Sequence, residues 1–249
     1  MQVVRSQLAQ EWLQSPLGEA LLEQESRIVE ETLDGIFGEQ CLQLGLWGQH
    51  RSFLRFTRTQ HAALVSELPD DAPCVVGALH RLPLESGSID AVFMPHTLDF
   101  SDRPHAVLRE VDRVLRRDGR LIILGFKPGG LWGLRRLIPG AALPPGSEHL
   151  ISDRRLRDWL KLLNMRIEGT RRYFFRWPLP RKSVRPLGKW ERRGQAWWPE
   201  LGACYMLSAQ KRVSTLTPVR PLWRNKAKVV AGLAEPSTRA SRIRFDENS

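Results

Sequence analysis

The chain is poor in cysteine: Cys41, Cys74 and Cys204 lie far apart with no CxxC pair. That excludes a disulfide framework and a cysteine zinc cluster, and predicts three buried small apolar residues. No stretch reaches the eighteen or so uninterrupted apolar residues that a membrane helix needs. The opening MQVVRSQLAQEWLQ lacks the charged-then-apolar pattern of a secretory signal, so the expected location is the cytoplasm. There is no GK[ST] phosphate loop, no GxGxxG, no GxSxG elbow, and the six histidines show no HxxxH or HExxH spacing. NTPase, dinucleotide dehydrogenase, serine hydrolase and zinc peptidase each lack their defining geometry, and no metal site is expected.

What is present is an ordinary globular composition, 42% hydrophobic and 26% charged over 249 residues, enough for one large domain. The net charge of +11 is uneven: residues 1–50 carry −6, 51–150 carry +2, 151–200 carry +9 and 201–249 carry +6. A basic C-terminal region of this kind either attracts RNA or an anionic surface by releasing counterions, or is simply solvated.

Residues 1–39 place Leu8, Trp12, Leu13, Leu17, Leu21, Leu22, Ile28, Val29 and Leu33 among eight acidic residues, which predicts an amphipathic helical cover broken near Pro16–Gly18. From Cys41 onward, CLQLG, AALVS (62–66), CVVGA (74–78), IDAVFMP (89–95) and LIILGF (121–126) alternate with helical patterns, the signature of a parallel sheet with helices on both faces. The spacing predicts a helix over 103–117, capped by Asp102, with Pro104 in its first turn and Gly119 as its stop. A later helix opens at Ser152 and ends at Asn164, followed by two late strands, RIEGTRRYFFRW and ACYMLSAQKR. They flank a Pro-, Arg- and Trp-rich insertion, 177–200. The tail 212–249 has few apolar residues and reads as disordered.

In an open parallel sheet, ligands bind outside the carboxyl ends of the strands. The loops there are Gly45-Leu46-Trp47-Gly48, Ala78-Leu79-His80, Pro95-His96-Thr97-Leu98-Asp99 and Phe126-Lys127-Pro128. Together with LPLESGSIDAVFMPHTLDFSDRPHAVLREVDRVLRRDGRLIILGFKP, residues 82–128, they resemble the class I S-adenosylmethionine-dependent methyltransferases, in particular the type 11 branch. The match rests on Leu82, Pro83, Ser88, Asp90, Val92, Leu98, Leu108, Arg109, Glu110, Arg113, Val114, Leu115, Gly119 and Arg120, and extends more loosely over 40–211.

The resemblance implies a Rossmann-like α/β fold: a seven-stranded sheet, mostly parallel with its last strand antiparallel. It implies S-adenosyl-L-methionine as cofactor, held by Gly45, Leu46, Trp47, Gly48, Glu67, Leu79, His80, Pro95 and His96. The chain departs from the family at Gln43, where an acid is customary, at Trp47 and Gln49, where glycines are, and at Ala78, where another acid is. Trp47 either compensates by stacking on the cofactor or packs against the N-terminal helices. His96 is a candidate general base for a hydroxyl or amine nucleophile, or a hydrogen-bonded turn residue. Asp99 either orients substrate or caps a turn, and Lys127, Arg135 and Arg136 are candidate anchors for an anionic substrate. The leading expectation is a bacterial-type methyltransferase acting on a small or lipid-like acceptor. A non-catalytic protein that kept the fold, and an RNA methyltransferase using the basic region, are the alternatives.

Overall fold

The structure, a computed structural model, describes residues 2–48, 53–67, 69, 74–130, 132–133, 145, 150–176, 194 and 197–212. All of them belong to one compact unit, Met1–Ser214. Two helices come first, α1 (Gln2–Leu13) and α2 (Pro16–Leu33). The break between them has a local cause. Ser15 is extended, its hydroxyl accepts from the Gly18 backbone N–H, and Pro16 takes the first helical position, where a missing N–H costs nothing. A side chain at Gly18 would meet the Leu13 Cα at 2.5 Å, so only glycine lets the two helices meet so closely.

The sheet follows: β1 (Phe37–Leu44), β2 (Arg58–Ser66), β3 (Val75–Val76), β4 (Ile89–Pro95), β5 (Leu115–Phe126), β6 (Met165–Tyr173) and β7 (Cys204–Lys211). Its order is β3-β2-β1-β4-β5-β7-β6, with β7 antiparallel to both neighbours and the other pairs parallel. Between strands lie a short α3 (Thr97–Phe100), α4 (Pro104–Val114) and α5 (Asp153–Leu162). Strand order reverses between β1 and β4, and that is where such a sheet opens a crevice.

Alternating side chains divide the core in two. Cys41, Ala91, Phe93, Ile122 and Leu124 pack beneath α1 and α2. Leu42, Val92, Met94, Leu121 and Ile123 pack on the opposite face, beneath α4 and α5. Leu17, Leu21, Ile28, Val29 and Leu33 of α2 are buried, each contributing on the order of 1.5–3 kcal/mol of apolar burial. Cys41 and Cys204 are buried as expected, whereas Cys74, just ahead of β3, is only half-buried; burial pushes the Cys41 thiol up to about 12, which leaves it inert.

Several boundaries differ from the sequence reading. β1 begins at Phe37 and β2 at Arg58, earlier than the apolar runs suggest, because their first residues are half-exposed on the sheet's rim. Only Val75 and Val76 of CVVGA pair in the sheet. α4 ends at Val114 rather than 117, because Leu115 turns extended and pairs with Ile89; Gly119 then lies inside β5 and stops no helix. Asp102 does not cap α4: the cap position is Arg103, without a side-chain cap, and Asp102 pairs with Arg5 of α1 at 3.0 Å. Ser152 does cap α5, and Asn164 takes the left-handed conformation (φ 56°) that ends it. Arg135, Arg136, insertion residues 177–193 and the tail from 213 lie outside the described residues.

Candidate functional site

The carboxyl ends of β1, β2 and β4 converge on a small cleft lined by Ser6, Gly45, Leu46, Ser66, Glu67, Leu79, Pro95, Thr97 and Phe100. Five of the nine residues expected to hold a cofactor, Gly45, Leu46, Glu67, Leu79 and Pro95, therefore meet at one place. Gly48, Trp47, His80 and His96 do not line it. Ser66, Thr97, Phe100 and Ser6 were missed; the first three adjoin strand ends already singled out, and Ser6 belongs to α1.

Gly45 turns the chain at φ +86°, and Gly48 follows at +78°, so two glycines supply the left-handed turns that the loop after β1 requires. Its floor is unusual. A Cβ on Gly45 would sit 2.9 Å from the Thr97 Oγ1, and that hydroxyl donates to the Leu44 carbonyl, stitching β1 to the end of β4. Gln43, standing where the family carries an acid, is buried and donates its amide to the Gly45 carbonyl at 3.2 Å. Its Oε1 is buried without a hydrogen-bond partner among the described residues, and Gln43 does not line the cleft.

The lining fits a nucleoside with an amino-acid tail in chemistry: a carboxylate at Glu67 for hydroxyl donors, and apolar Leu46 and Leu79 for a flat base. In room it is tight. The volume is about 30 Å³, space for a water, because α1 forms one wall. α1 is held there by Gln10, whose amide donates to the Leu46 carbonyl at 2.6 Å, and by the Arg5–Asp102 ion pair.

Behind the cleft lies a closed polar knot. His96 is fully buried, in the left-handed region at φ 52°, between two carboxylates. Its Nε2 faces Glu25 Oε1 at 2.7 Å and its Nδ1 faces Asp99 Oδ2 at 3.2 Å. Glu25, on α2, also accepts from the Trp47 indole at 2.8 Å and from the Tyr173 hydroxyl at 2.9 Å. Asp99 accepts in addition from the Phe126 backbone N–H. The rings of Trp47 and Phe126 lie 4.4 Å and 4.0 Å from the imidazole.

Burial pulls the His96 pKa down, but the Glu25 charge and the Asp99 hydrogen bond outweigh it, and the imidazole is raised to about 9. It is thus an imidazolium donating from both nitrogens. Burial pushes Asp99 up and Tyr173 well up from their ordinary values. Cys204 approaches the same knot, with donor atoms of Glu25, His96 and Cys204 within 4.8 Å of one another. Both imidazole nitrogens are nonetheless engaged by carboxylates, and Glu25 already receives three donors.

For three residues this geometry favours the structural alternative over the ligand-binding one. Trp47 packs against α2 and offers no stacking face to the cleft. His96, sealed and cationic, is not placed as a general base. Asp99 holds His96 and β5 rather than a substrate. Lys127 is also committed: its Nζ donates to the Glu200 carbonyl and carboxylate, both at 2.7 Å, so it anchors the turn before β7.

An open sheet of this order, with one antiparallel strand and a ligand cleft at the switch point, defines the class I methyltransferase fold. The family model described as "Methyltransferase domain" matches residues 52–123 of the chain. The chain is 34% identical over 167 residues to the uncharacterized protein YafS of Escherichia coli (strain K12), a match covering 65% of this chain and 64% of that one. It is 44% identical over 70 residues to malonyl-[acyl-carrier protein] O-methyltransferase of Laribacter hongkongensis, covering 28% of this chain and 24% of that one. The chain thus spans less than two thirds of the length of these relatives. Among solved structures, geranyl diphosphate C-methyltransferase of Streptomyces coelicolor, in complex with Mg2+, geranyl diphosphate and S-adenosyl-L-homocysteine, shares the fold at a TM-score of 0.51 and 15% identity, over 78% of this chain and 80% of that one.

Proposed function

We propose that the chain is an S-adenosylmethionine-dependent methyltransferase acting on a small or lipid-like acceptor, with the cofactor in the cleft at the ends of β1, β2 and β4. The observation that carries this reading is the convergence of Gly45, Leu46, Glu67, Leu79 and Pro95 at the topological switch point. When bound, the cofactor supplies a methyl group on a sulfonium, already an activated leaving group. The protein's work is to position and enclose. Glu67 takes hydroxyl donors, and Leu46 and Leu79 sandwich the base. With about 30 Å³ available, α1 swings away to admit the cofactor and closes over it to exclude water. The knot around His96 fixes the β4 end and holds α2 as a rigid back wall, and takes no part in proton transfer. The lipid-like acceptor is supported by what the relatives act on, an acyl-carrier-bound malonyl group and geranyl diphosphate.

Ultraviolet crosslinking of methyl-labelled S-adenosylmethionine, with mapping of labelled peptides, tests the site. Label on the peptides holding Gly45–Gly48 or Glu67, lost in Glu67→Lys, supports it; label elsewhere, or undiminished in Glu67→Lys, removes this cleft. A second reading, a non-catalytic protein that retains the fold, is favoured by the Thr97 stitch across the crevice. It predicts no specific label at all.

A further inference from the structure

Four of the nine tryptophans, Trp177, Trp190, Trp197 and Trp198, fall within 22 residues that also carry Arg181, Lys182, Arg185, Lys189, Arg192 and Arg193 against one acid, Glu191. The structure describes the end of this segment. Trp197 and Trp198 are 75% and 61% exposed, side by side with ring centroids 6.3 Å apart, and Leu201 beside them is 38% exposed. Large exposed aromatics of this kind are uncommon on a freely solvated surface, and here they are contiguous.

The turn that presents them is built to stay put. The Trp198 backbone N–H donates to the Gly194 carbonyl, and Leu201 N–H donates to the Trp198 carbonyl. The nearby acid, Glu200, is neutralised by Lys127 at 2.7 Å and by Arg172 at 2.5 Å. Among the described residues the patch therefore shows indoles and no uncompensated negative charge. Position matters as well: the turn leads into β7 opposite the end of β5, where Phe126 pairs with Cys204, so it lies at the edge of the sheet that carries the ligand cleft.

We infer that Trp197 and Trp198 dock this protein on an anionic lipid surface. Indoles settle at the boundary of water and hydrocarbon, where the ring is apolar and the N–H stays wet, and the Lys and Arg that precede them in the sequence are of the charge drawn to acidic head groups. A nucleic-acid platform is less well served: the two rings are tilted by 43° and leave no parallel slot for a base. Docking would bring the cleft to the surface where a lipid-like acceptor resides. In that purpose it rests on the proposed function, although the binding itself does not.

The test is co-sedimentation of the full chain with vesicles, without cofactor. One set is phosphatidylcholine alone; the other contains phosphatidylglycerol as well. The expected result is binding to the second set, weakened by added salt, with blue-shifted tryptophan emission. The Trp197→Ser/Trp198→Ser double variant, whose changes are at exposed positions, should bind about tenfold or more weakly while unfolding at the same temperature. Equal binding by the double variant, or none to phosphatidylglycerol vesicles, overturns the inference. So does tight binding of polyuridylate that the double variant loses while its vesicle binding is unchanged. Vesicle binding without crosslinking to S-adenosylmethionine would sink the enzymatic reading and leave the docking intact.

Discussion

Replacing Glu25 by glutamine keeps the shape of the side chain and removes its charge from a site with no solvent. The carboxylate now satisfies three donors, the His96 imidazolium at 2.7 Å, the Trp47 indole at 2.8 Å and the Tyr173 hydroxyl at 2.9 Å. An amide offers one acceptor oxygen, so at least one donor faces an N–H₂ instead, and the imidazolium keeps Asp99 as its one charged partner among these. Breaking one side of a buried ion pair costs about 3–5 kcal/mol, a large share of the roughly 5–15 kcal/mol of a typical domain. Urea unfolding should show a midpoint lowered accordingly, with an unchanged slope. The pH dependence sharpens the test. His96 titrates near 9 when folded, against 6.5 when free, so its contribution is complete below about pH 6.5 and is lost as pH rises through about 9. The difference is worth on the order of 3 kcal/mol in the parent chain. In Glu25→Gln that decline should flatten, because the Glu25 charge is the foremost influence raising the imidazole. A cost below about 1 kcal/mol, or an identical decline with pH in both proteins, would refute the reasoning.

Three further outcomes follow from the cleft. Arg5→Ala with Gln10→Ala, which removes two polar holds on α1, should speed association of S-adenosyl-L-homocysteine severalfold in stopped-flow fluorescence; an unchanged rate would mean that these two contacts do not gate the cleft. Gly45→Val should destabilise the chain by about 1–3 kcal/mol in urea unfolding, since it places a β-branched residue at φ +86° and against Thr97, whereas a neutral effect would show that the turn is not held as described. Glu67→Lys should weaken cofactor affinity about tenfold or more in equilibrium dialysis, and equal affinity would take Glu67 out of the site.

Much of the sheet was legible because its signals are local. IDAVFMP is β4 from Ile89 to Pro95, since a strand buried on both faces is a continuous apolar run bounded by turns. The end of α4 was not legible: Arg116, Arg117 and Asp118 are acceptable helix residues, and only the pairing of Leu115 with Ile89, 26 positions away, pulls the chain into β5. The cleft residues were found because strand ends can be located from apolar runs. The choice between the two roles open to Trp47 and His96 was not legible, because it turns on Glu25, which lies 71 positions from His96 and 148 from Tyr173. One signal was available. Leu17, Leu21 and Ile28 recur at helical spacing, and Glu25 falls within that apolar stripe, where a charge needs a buried partner.

The most direct measurement is calorimetric titration of the full chain with S-adenosyl-L-homocysteine. Saturable heat with one site and a dissociation constant around the micromolar range, weakened in Glu67→Lys, is the result expected of a working cofactor cleft beneath α1. No heat from the folded chain, including the Arg5→Ala/Gln10→Ala variant in which two polar holds on α1 are removed, would contradict the assignment and show a methyltransferase fold whose crevice has been closed for good.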